Sequence, residues 1–169
     1  MKIKFLLFTI FCVSISTIFF IYQKNKCYQI LETQVNGTSM IPFFSDGQII
    51  QVKQGYYDCH EVERGDIVIY GSAAKGQLVK QVRVLGGDRV LVDYENNQLI
   101  VNSQILKSPR GQAYRFTQGE LDFLALFIKD GYLKQDNYFI FGTHISGGYD
   151  SRKFAGVLKK DFIGKVIYR

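Results

Sequence analysis

A chain of 169 residues, 47% hydrophobic and 15% aromatic, is long enough for one packed domain and too short for two of ordinary size. The formal net charge is +6, but four of the 21 basic residues are lysines within the first 26 positions, and all 15 acidic residues lie beyond them. The rest of the chain is nearly neutral, which excludes the basic surface expected of a nucleic-acid-binding domain.

The first element in chain order is an apolar run from Phe5 to Tyr22, without a charged residue or a proline and with two lysines on each side. Its length is near the lower end of the roughly 17–25 residues that a transmembrane helix needs. The run predicts an N-terminal membrane anchor in residues 1–26, followed by one β-rich domain over residues 27–169. The flanking lysines favour contact with anionic lipid headgroups.

A cleavable secretory signal peptide is the alternative interpretation of this run. Ser14 and Ser16 are small residues of the kind found at a cleavage site. The apolar run continues beyond them, however, where a cleavage region should become polar, and this favours a retained anchor. The lysines are balanced across the run, so the positive-inside rule does not assign its orientation.

The cysteines and histidines do not predict a metal site. Cys12 lies inside the apolar run, which leaves Cys27 and Cys59, and two cysteines without a framework pattern are weak evidence for a disulfide. We expect two free thiols. His60 and His144 are far from any closely spaced pair of cysteines, so no zinc site is predicted. No cofactor is implied.

Beyond the anchor, β-branched and aromatic runs alternate with turn residues, which is the pattern of β-strands. The predicted strands are ILETQV, QIIQVK, DIVIYG, QLVKQVRVL, DRVLVDY, QLIVN, NYFIFG and FIGKVIYR. Asn96 and Asn97 separate two of them as a hairpin turn, because asparagine tolerates a positive φ.

One segment, Glu120–Lys129, contains helix formers and is followed by Asp130 and Gly131, so it predicts a short helix with a glycine stop. Its apolar residues recur at helical spacing and should face the core; they are Leu121, Leu124, Phe127 and Ile128. The predicted fold is mainly β: a single, partly closed antiparallel β domain with one short helix, preceded by a transmembrane helix.

Lys80 lies on the apolar face of a predicted strand. Side chains alternate along a strand, so Lys80 shares its face with Leu78, Val82 and Val84. Burial disfavours the ammonium form, and a pKa lowered from ~10.4 to ~8 would represent about 3 kcal/mol. A neutral amine is a general base. The ordinary alternative is a lysine that extends its charged end to water.

Ser39 lies in the turn-like stretch GTSMIPFF, where serine is most often a turn or cap residue. A serine becomes a nucleophile when an adjacent base takes its proton, and a Ser/Lys pair is an accepted alternative to the Ser-His-Asp triad. Ser39 and Lys80 are therefore candidates for such a pair.

Four motifs surround these two residues in a fixed order. They are G-x-S-M-x-P at Gly37, Ser39, Met40 and Pro42; R-G-D-I-V at residues 64–68; a lysine block at Lys80, Val82, Gly87 and Asp88; and a terminal block at Gly142, Asp150, Ser151, Arg152 and Gly156. Together they resemble the type I signal peptidases, membrane-anchored serine proteases that remove signal sequences from exported proteins.

The resemblance implies that Ser39 is the nucleophile and Lys80 the general base. His144 is a second candidate base, in a triad with Ser39 and Asp150, but the lysine occupies the position of the family's base. The apolar residues around the serine are expected to exclude water and to rest on the bilayer surface; they are Met40, Ile41, Phe43 and Phe44.

The chain departs from the family pattern in two blocks. In the lysine block Gln81 replaces an arginine and Gly86 a proline; in the terminal block Thr143 and His144 replace an Asp-Asn pair. The change at Gln81 is mild, because the neighbouring Arg83 supplies a guanidinium on the same strand face.

The sequence offers several candidates for the groups that support catalysis and does not choose among them. Gly148 stands where the family often has a serine that orients the lysine, and Ser146 and Ser151 are the candidates to supply a hydroxyl instead. Gly37 has no side chain to offer an oxyanion, so the backbone N–H of Ser39 would contribute more.

Four charged residues are predicted to be structural. Asp150 and Arg152 should form an ion pair that holds the terminal block against the lysine strand. Asp66 and Asp88 follow glycines at strand starts, where carboxylates commonly accept backbone N–H groups.

The resemblance implies an endopeptidase whose partners are the lipid bilayer and exported preproteins with small residues before the cleavage site. Residues 34–37 are a candidate edge for pairing an extended substrate. The expected location is single-pass in a bacterial plasma membrane, with the catalytic domain extracytoplasmic.

The alternatives are a specialised peptidase of a conjugation or pilus system and a non-catalytic membrane-tethered binding module. A self-cleaving repressor also uses serine and lysine, but it needs a DNA-binding segment where this chain has an apolar run.

Overall fold

The computed structural model describes residues 27–168. The predicted anchor, Phe5–Tyr22, lies outside the described residues. Within residues 27–168, no helix combines the length and the apolar character needed to cross a bilayer.

Twelve strands are present in residues 27–168. They are β1 (Gln29–Gln34), β2 (Ile49–Gln54), β3 (Ile67–Ser72), β4 (Gly76–Val84), β5 (Val90–Asp93), β6 (Gln98–Val101), β7 (Gln104–Ile105), β8 (Ile128–Lys129), β9 (Tyr132–Leu133), β10 (Asn137–Phe141), β11 (Val157–Leu158) and β12 (Phe162–Val166). All eight predicted strands are confirmed. The four strands that were not predicted have only two residues each.

The main sheet has seven strands in the order β1-β2-β12-β3-β4-β10-β11, and every neighbouring pair is antiparallel. Two smaller sheets, β5-β6-β7 and β8-β9, lie beside it. The predicted mainly antiparallel β fold is confirmed. Asn97, in the turn between β5 and β6, has a φ of 55°, as its predicted place in a hairpin turn requires.

In the part of the chain that the structure describes, the core consists of three clusters of buried apolar side chains. The first joins Phe139 and Phe141 of β10 to the small sheets. The second contains Met40 and Phe44, which follow β1. The third contains Val82 of β4 and its neighbours on β3 and β10. The strand that carries Lys80 is therefore buried among its neighbours.

Two α-helices are present in residues 27–168, where one was predicted. The helix α1 (Gln118–Ala125) begins at Thr117, whose side chain forms a reciprocal capping box with Glu120. As predicted, Leu121 and Leu124 are buried in the core. The helix α2 (Ser151–Phe154) is a single turn capped by the Asp150 side chain. Tyr56–Asp58 and Lys159–Asp161 form 3₁₀ turns.

The prediction that the first helix continues to Lys129 is wrong. Residues 128–129 form β8, which pairs with β9 around Asp130 and Gly131. Both turn residues have positive φ values, 53° and 81°. An Asp-Gly pair with this backbone favours a two-residue β-hairpin, so the glycine that was interpreted as a helix stop is instead part of a hairpin turn.

The prediction of two free thiols is also wrong, because Cys27 and Cys59 form a disulfide. The pairing of β1 with β2 explains their proximity: Gln29 lies opposite Gln54, so the residues just before β1 lie near those just after β2. The Cα atoms of the two cysteines are 6.2 Å apart. This contact could not be predicted without the strand register.

Candidate active site

Ser39 lies in the turn that connects β1 to β2. The side chains of Met40 and Phe44 are buried in the second core cluster and fix this turn to the domain. The N–H of Gly37 donates to Asp46 Oδ1 at 2.7 Å, which closes the loop from the other side. The turn that carries the Ser39 hydroxyl is thus fixed to the domain.

The burial of Met40 and Phe44 corrects one expectation. These two side chains cannot rest on a bilayer surface, because they are 1% and 3% exposed. Ile41 is exposed and Phe43 is half-buried, so only these two of the four apolar residues face outward.

Lys80 is buried in β4, as the alternation of the strand predicted; only 3% of the residue is exposed. Its Nζ lies 2.6 Å from Ser39 Oγ and donates to Val79 O at 3.0 Å. Burial lowers the pKa of Lys80 to about 8; the negative charge of Asp150 opposes this change and the positive charge of Arg152 adds to it. The amine is therefore partly neutral near physiological pH.

The end of β10 holds the serine turn in place. The Thr143 N–H donates to Ser39 O at 2.8 Å, and the single hydroxyl proton of Thr143 is shared between Ile41 O, at 2.5 Å from Oγ1, and Ser39 O, at 3.2 Å. A Cβ added to Gly142 would lie 2.6 Å from Ser39 O, so only glycine permits this close approach. Thr143, a departure from the family pattern, thus fastens the turn that carries Ser39.

The predicted ion pair between Asp150 and Arg152 is confirmed, and both side chains are almost fully buried. Arg152 donates twice to the carboxylate, from Nε at 2.8 Å and from Nη2 at 2.6 Å. Asp150 also accepts the N–H of Gly142 at 3.0 Å. The pair therefore supports the backbone that contacts Ser39. A Cβ on Gly148 would lie 2.9 Å from Arg152 Nη2, which explains the glycine there.

The two candidate hydroxyls are both away from the amine. Ser151 Oγ is buried and accepts the N–H of Ile140 at 2.8 Å, and Ser146 is exposed. In the described part of the chain, the hydrogen bonds of Lys80 Nζ go to Ser39 and Val79 instead.

The alternative triad of Ser39, His144 and Asp150 does not assemble. His144 is exposed, and its backbone carbonyl accepts from Arg152 Nη2 at 3.2 Å. The Asp150 carboxylate binds Arg152 and the backbone of Gly142 and does not orient an imidazole.

Tyr114 is a supporting residue that sequence reasoning missed. It is fully buried, and its hydroxyl donates to Gly142 O at 2.6 Å, so it holds the carbonyl of the same residue whose N–H Asp150 accepts. The Arg152 guanidinium lies over its ring, 5.6 Å from the centroid. A tyrosine in an irregular polar segment gives no sequence signal for this role.

Asp66 and Asp88 are structural, as predicted. Asp66 accepts from the Tyr57 hydroxyl at 2.8 Å and pairs with Lys165 at 2.6 Å. Asp88 accepts the N–H of Leu85 at 2.7 Å and pairs with Arg64.

A cavity of ≈ 300 Å³ opens beside the serine and the lysine. Its lining comprises Thr33, Gln34, Val35, Asn36, Ser39, Met40, Ile69, Lys75, Gln77, Leu78, Val79 and Lys80. One wall is the end of β1, an edge strand of the main sheet. The other is the first half of β4, which pairs with β3 but lies before the residues that pair with β10.

A serine hydroxyl in contact with a buried lysine amine, carried by an antiparallel β domain, is the arrangement of a Ser/Lys hydrolase. The sequence matches the family described as signal peptidase, peptidase S26, over residues 3–169, and the chain belongs to this family. It is therefore related to serine endopeptidases that remove signal sequences from proteins.

Two relatives in sequence agree with this assignment. The signal peptidase I of Bacillus caldolyticus is 31% identical over 140 residues, which cover 80% of this chain and 76% of the relative. The signal peptidase IB of Staphylococcus aureus strain COL is 26% identical over 144 residues, with 80% and 74% covered. A solved signal peptidase I from Enterococcus faecalis V583 aligns with a TM-score of 0.46 at 22% identity, over 64% of this chain and 98% of that one.

Proposed function

We propose that this peptidase cleaves signal sequences with Ser39 as its nucleophile and Lys80 as its general base. The observation that carries the proposal is the 2.6 Å contact between Lys80 Nζ and Ser39 Oγ, made by a lysine that is only 3% exposed. A general base must lie within hydrogen-bonding reach of the proton that it takes and have a pKa near the working pH. Lys80 meets both requirements.

The reaction proceeds in two stages. The neutral Lys80 amine takes the proton of Ser39 Oγ as the oxygen attacks the scissile carbonyl carbon, and the resulting ammonium gives that proton to the departing amine. The C–N bond breaks, and the signal sequence remains as an ester on Ser39. Lys80 then takes a proton from water as the water oxygen attacks the ester carbon, and the ammonium returns that proton to Ser39 Oγ as the C–O bond breaks and the signal sequence leaves with a free carboxyl end.

The surrounding contacts supply position and charge. Thr143 and Gly142 fix the backbone of Ser39, and the pair of Asp150 and Arg152 fixes Gly142. Gly37 has its N–H committed to Asp46, so the backbone N–H of Ser39 is the candidate donor to the oxyanion.

The cavity beside the pair fits an extended peptide. The end of β1 and the start of β4 offer unpaired strand edges to which a substrate backbone can add. We expect exported preproteins with small side chains at the first and third positions before the cut, the A-x-A pattern of secretory signals. Of the candidate edge at residues 34–37, residues 34–36 form part of one wall.

We also propose that residues 1–26 anchor the peptidase domain of residues 27–169 in the lipid bilayer as a single span. The Cys27–Cys59 disulfide supports an extracytoplasmic domain, since disulfides persist in oxidising compartments. A bacterial plasma membrane accords with the bacterial relatives. No metal or organic cofactor is part of this proposal.

The test uses the full-length protein purified in detergent with a preprotein that carries an A-x-A site. Wild type should cleave it, and Ser39→Ala and Lys80→Ala should each lose cleavage. His144→Ala is the matched control and should cleave like wild type, because this side chain is exposed. Cleavage that survives Lys80→Ala but disappears in His144→Ala would assign the base to histidine.

A further inference from the structure

The cavity beside Ser39 has an uncompensated positive charge in its wall. Among the described residues, two cationic side chains line it, Lys75 and Lys80, and no acidic residue does. Lys80 is buried at the reacting end. Lys75 is exposed, and in the part of the chain that the structure describes it makes no ion pair with an acidic residue.

The position of the Lys75 ammonium is partly fixed by an aromatic ring. Lys75 belongs to the turn between β3 and β4, and its Nζ lies over the ring of Tyr149, 5.6 Å from the centroid. Tyr149 in turn packs against Phe154, at 5.7 Å between ring centroids. A cation over a ring is attracted to it, so the charge is kept beside the cavity.

The spacing along β4 relates this charge to the reacting atoms. The strand begins at Gly76, four residues before Lys80, and rises about 3.3 Å per residue, so its first residue, next to Lys75 in the turn, lies roughly 13 Å from Lys80. A substrate that adds to the edge of β4 has the same rise per residue. A substrate side chain near Lys75 is therefore four or five residues from the scissile bond.

We propose that Lys75 makes this peptidase prefer preproteins with an acidic side chain four or five residues from the cleavage site and disfavour a basic one there. The proposal rests on the proposed function of Ser39 and Lys80 and adds a charge requirement to it. Exposed ion pairs correspond to a preference of about twofold to fivefold. Salt should weaken the preference, because exposed charges are screened.

The experiment measures kcat/KM for a series of peptides that each contain one A-x-A site. Each peptide has a single Asp, Asn or Lys at a position three, four, five or six residues from the cut, either before it or after it. Wild type should cleave the Asp peptide about twofold to fivefold better than the Lys peptide at one position, four or five residues away. Lys75→Gln should abolish this difference, and Lys75→Glu should reverse it. Raising the salt concentration should reduce it.

Lys107→Glu is the matched control. Lys107 is exposed and lines a different cavity, with Arg64 and Arg83, so this variant has the same change in net charge away from the serine. It should keep the wild-type preference. Equal cleavage of the Asp and Lys peptides by wild type at every position, or a reversal by Lys107→Glu as large as that by Lys75→Glu, would overturn the proposal.

Binding of the same peptides to full-length Ser39→Ala, measured by fluorescence polarisation, separates this inference from the proposed function. A preference for Asp in binding together with full cleavage activity in Ser39→Ala would overturn the nucleophile assignment and leave the charge selection standing. Equal binding and equal wild-type cleavage of the Asp and Lys peptides, with cleavage lost in Ser39→Ala, would overturn the charge selection alone.

Discussion

At the scale of single residues, the burial of Lys80 destabilises the fold and at the same time makes its amine a base. Its ammonium form is disfavoured by burial, which lowers its pKa to about 8 and leaves an amine able to accept a proton near neutral pH. The alternation of β4 predicted this burial from sequence. The partner hydroxyl, 41 positions away, was predicted by the family resemblance and not by the strand pattern.

This destabilisation predicts a stabilising but inactivating substitution. Lys80→Met should lose cleavage. Its free energy of unfolding at pH 7 should nevertheless be up to about 3 kcal/mol higher than that of wild type, because burial disfavours the ammonium form of Lys80 in the folded protein. In the unfolded chain lysine titrates near 10.4, so the wild type should gain stability relative to Lys80→Met as pH rises from about 8 toward 10.4. Urea unfolding at pH 7, 9 and 10.5 measures the difference. A difference that does not change with pH would contradict the burial argument.

Thr143 provides a second test at this scale. Thr143→Val removes the hydroxyl that donates to the carbonyls of Ser39 and Ile41, so the serine turn should shift and kcat should fall about tenfold or more, with a smaller change in KM. Thr143→Ser keeps the hydroxyl and should retain most of the activity. Steady-state kinetics on one peptide compare the three proteins. Equal kcat values for the Val and Ser variants would exclude this positioning role.

At the scale of elements, the segment between β10 and β11 depends on the buried pair of Asp150 and Arg152. The pair also caps α2 and binds the backbone of Gly142. The sequence predicted the ion pair because both residues occur in a recognisable motif. It did not predict the one-turn helix, since four residues are too few to show a helical period.

Removing one member of this pair should be strongly destabilising. Asp150→Asn leaves the buried Arg152 guanidinium without its carboxylate, and we expect a loss of about 3–5 kcal/mol in the free energy of unfolding. Arg152→Met should have a similar effect, and the double variant should lose less than the sum of the two. A double-mutant cycle in urea measures this coupling. Additive losses would show that the two side chains do not depend on each other.

The region around α1 shows a limit of local patterns. Residues 120–129 have helical spacing, and the structure confirms the core-facing leucines, but the chain leaves the helix at Ala125 to form β8. The pairing of β8 with β9 is specified by the Asp130–Gly131 turn, which a helical interpretation treats as a stop signal. A two-residue strand has no period of its own, so the turn was the only available evidence.

At the scale of the whole molecule, strand types could be predicted but their arrangement could not. Eight strands follow from residue pattern, whereas the sheet order places β12 between β2 and β3, a contact between distant parts of the chain. The disulfide has the same origin, because Cys27 and Cys59 meet only once β1 pairs with β2.

The disulfide should stabilise the domain without taking part in catalysis. It closes a separation of 32 residues, for which loop entropy predicts a contribution of about 2–4 kcal/mol. The double variant Cys27→Ser/Cys59→Ser should therefore unfold at lower urea concentration but keep its kcat under conditions where it remains folded. Unfolding curves and kinetics of wild type and variant test this. An unchanged midpoint would show that the bond is not a stabilising element.

The central claim is that a neutral Lys80 activates Ser39, and the pH dependence of kcat/KM tests it most directly. With full-length protein and a neutral peptide substrate, kcat/KM should rise with pH and level off with an apparent pKa near 8, because only the free amine accepts the serine proton. A plateau that extends unchanged from pH 6 to pH 9, or a rising limb centred near 6.5 as expected for a histidine base, would contradict it.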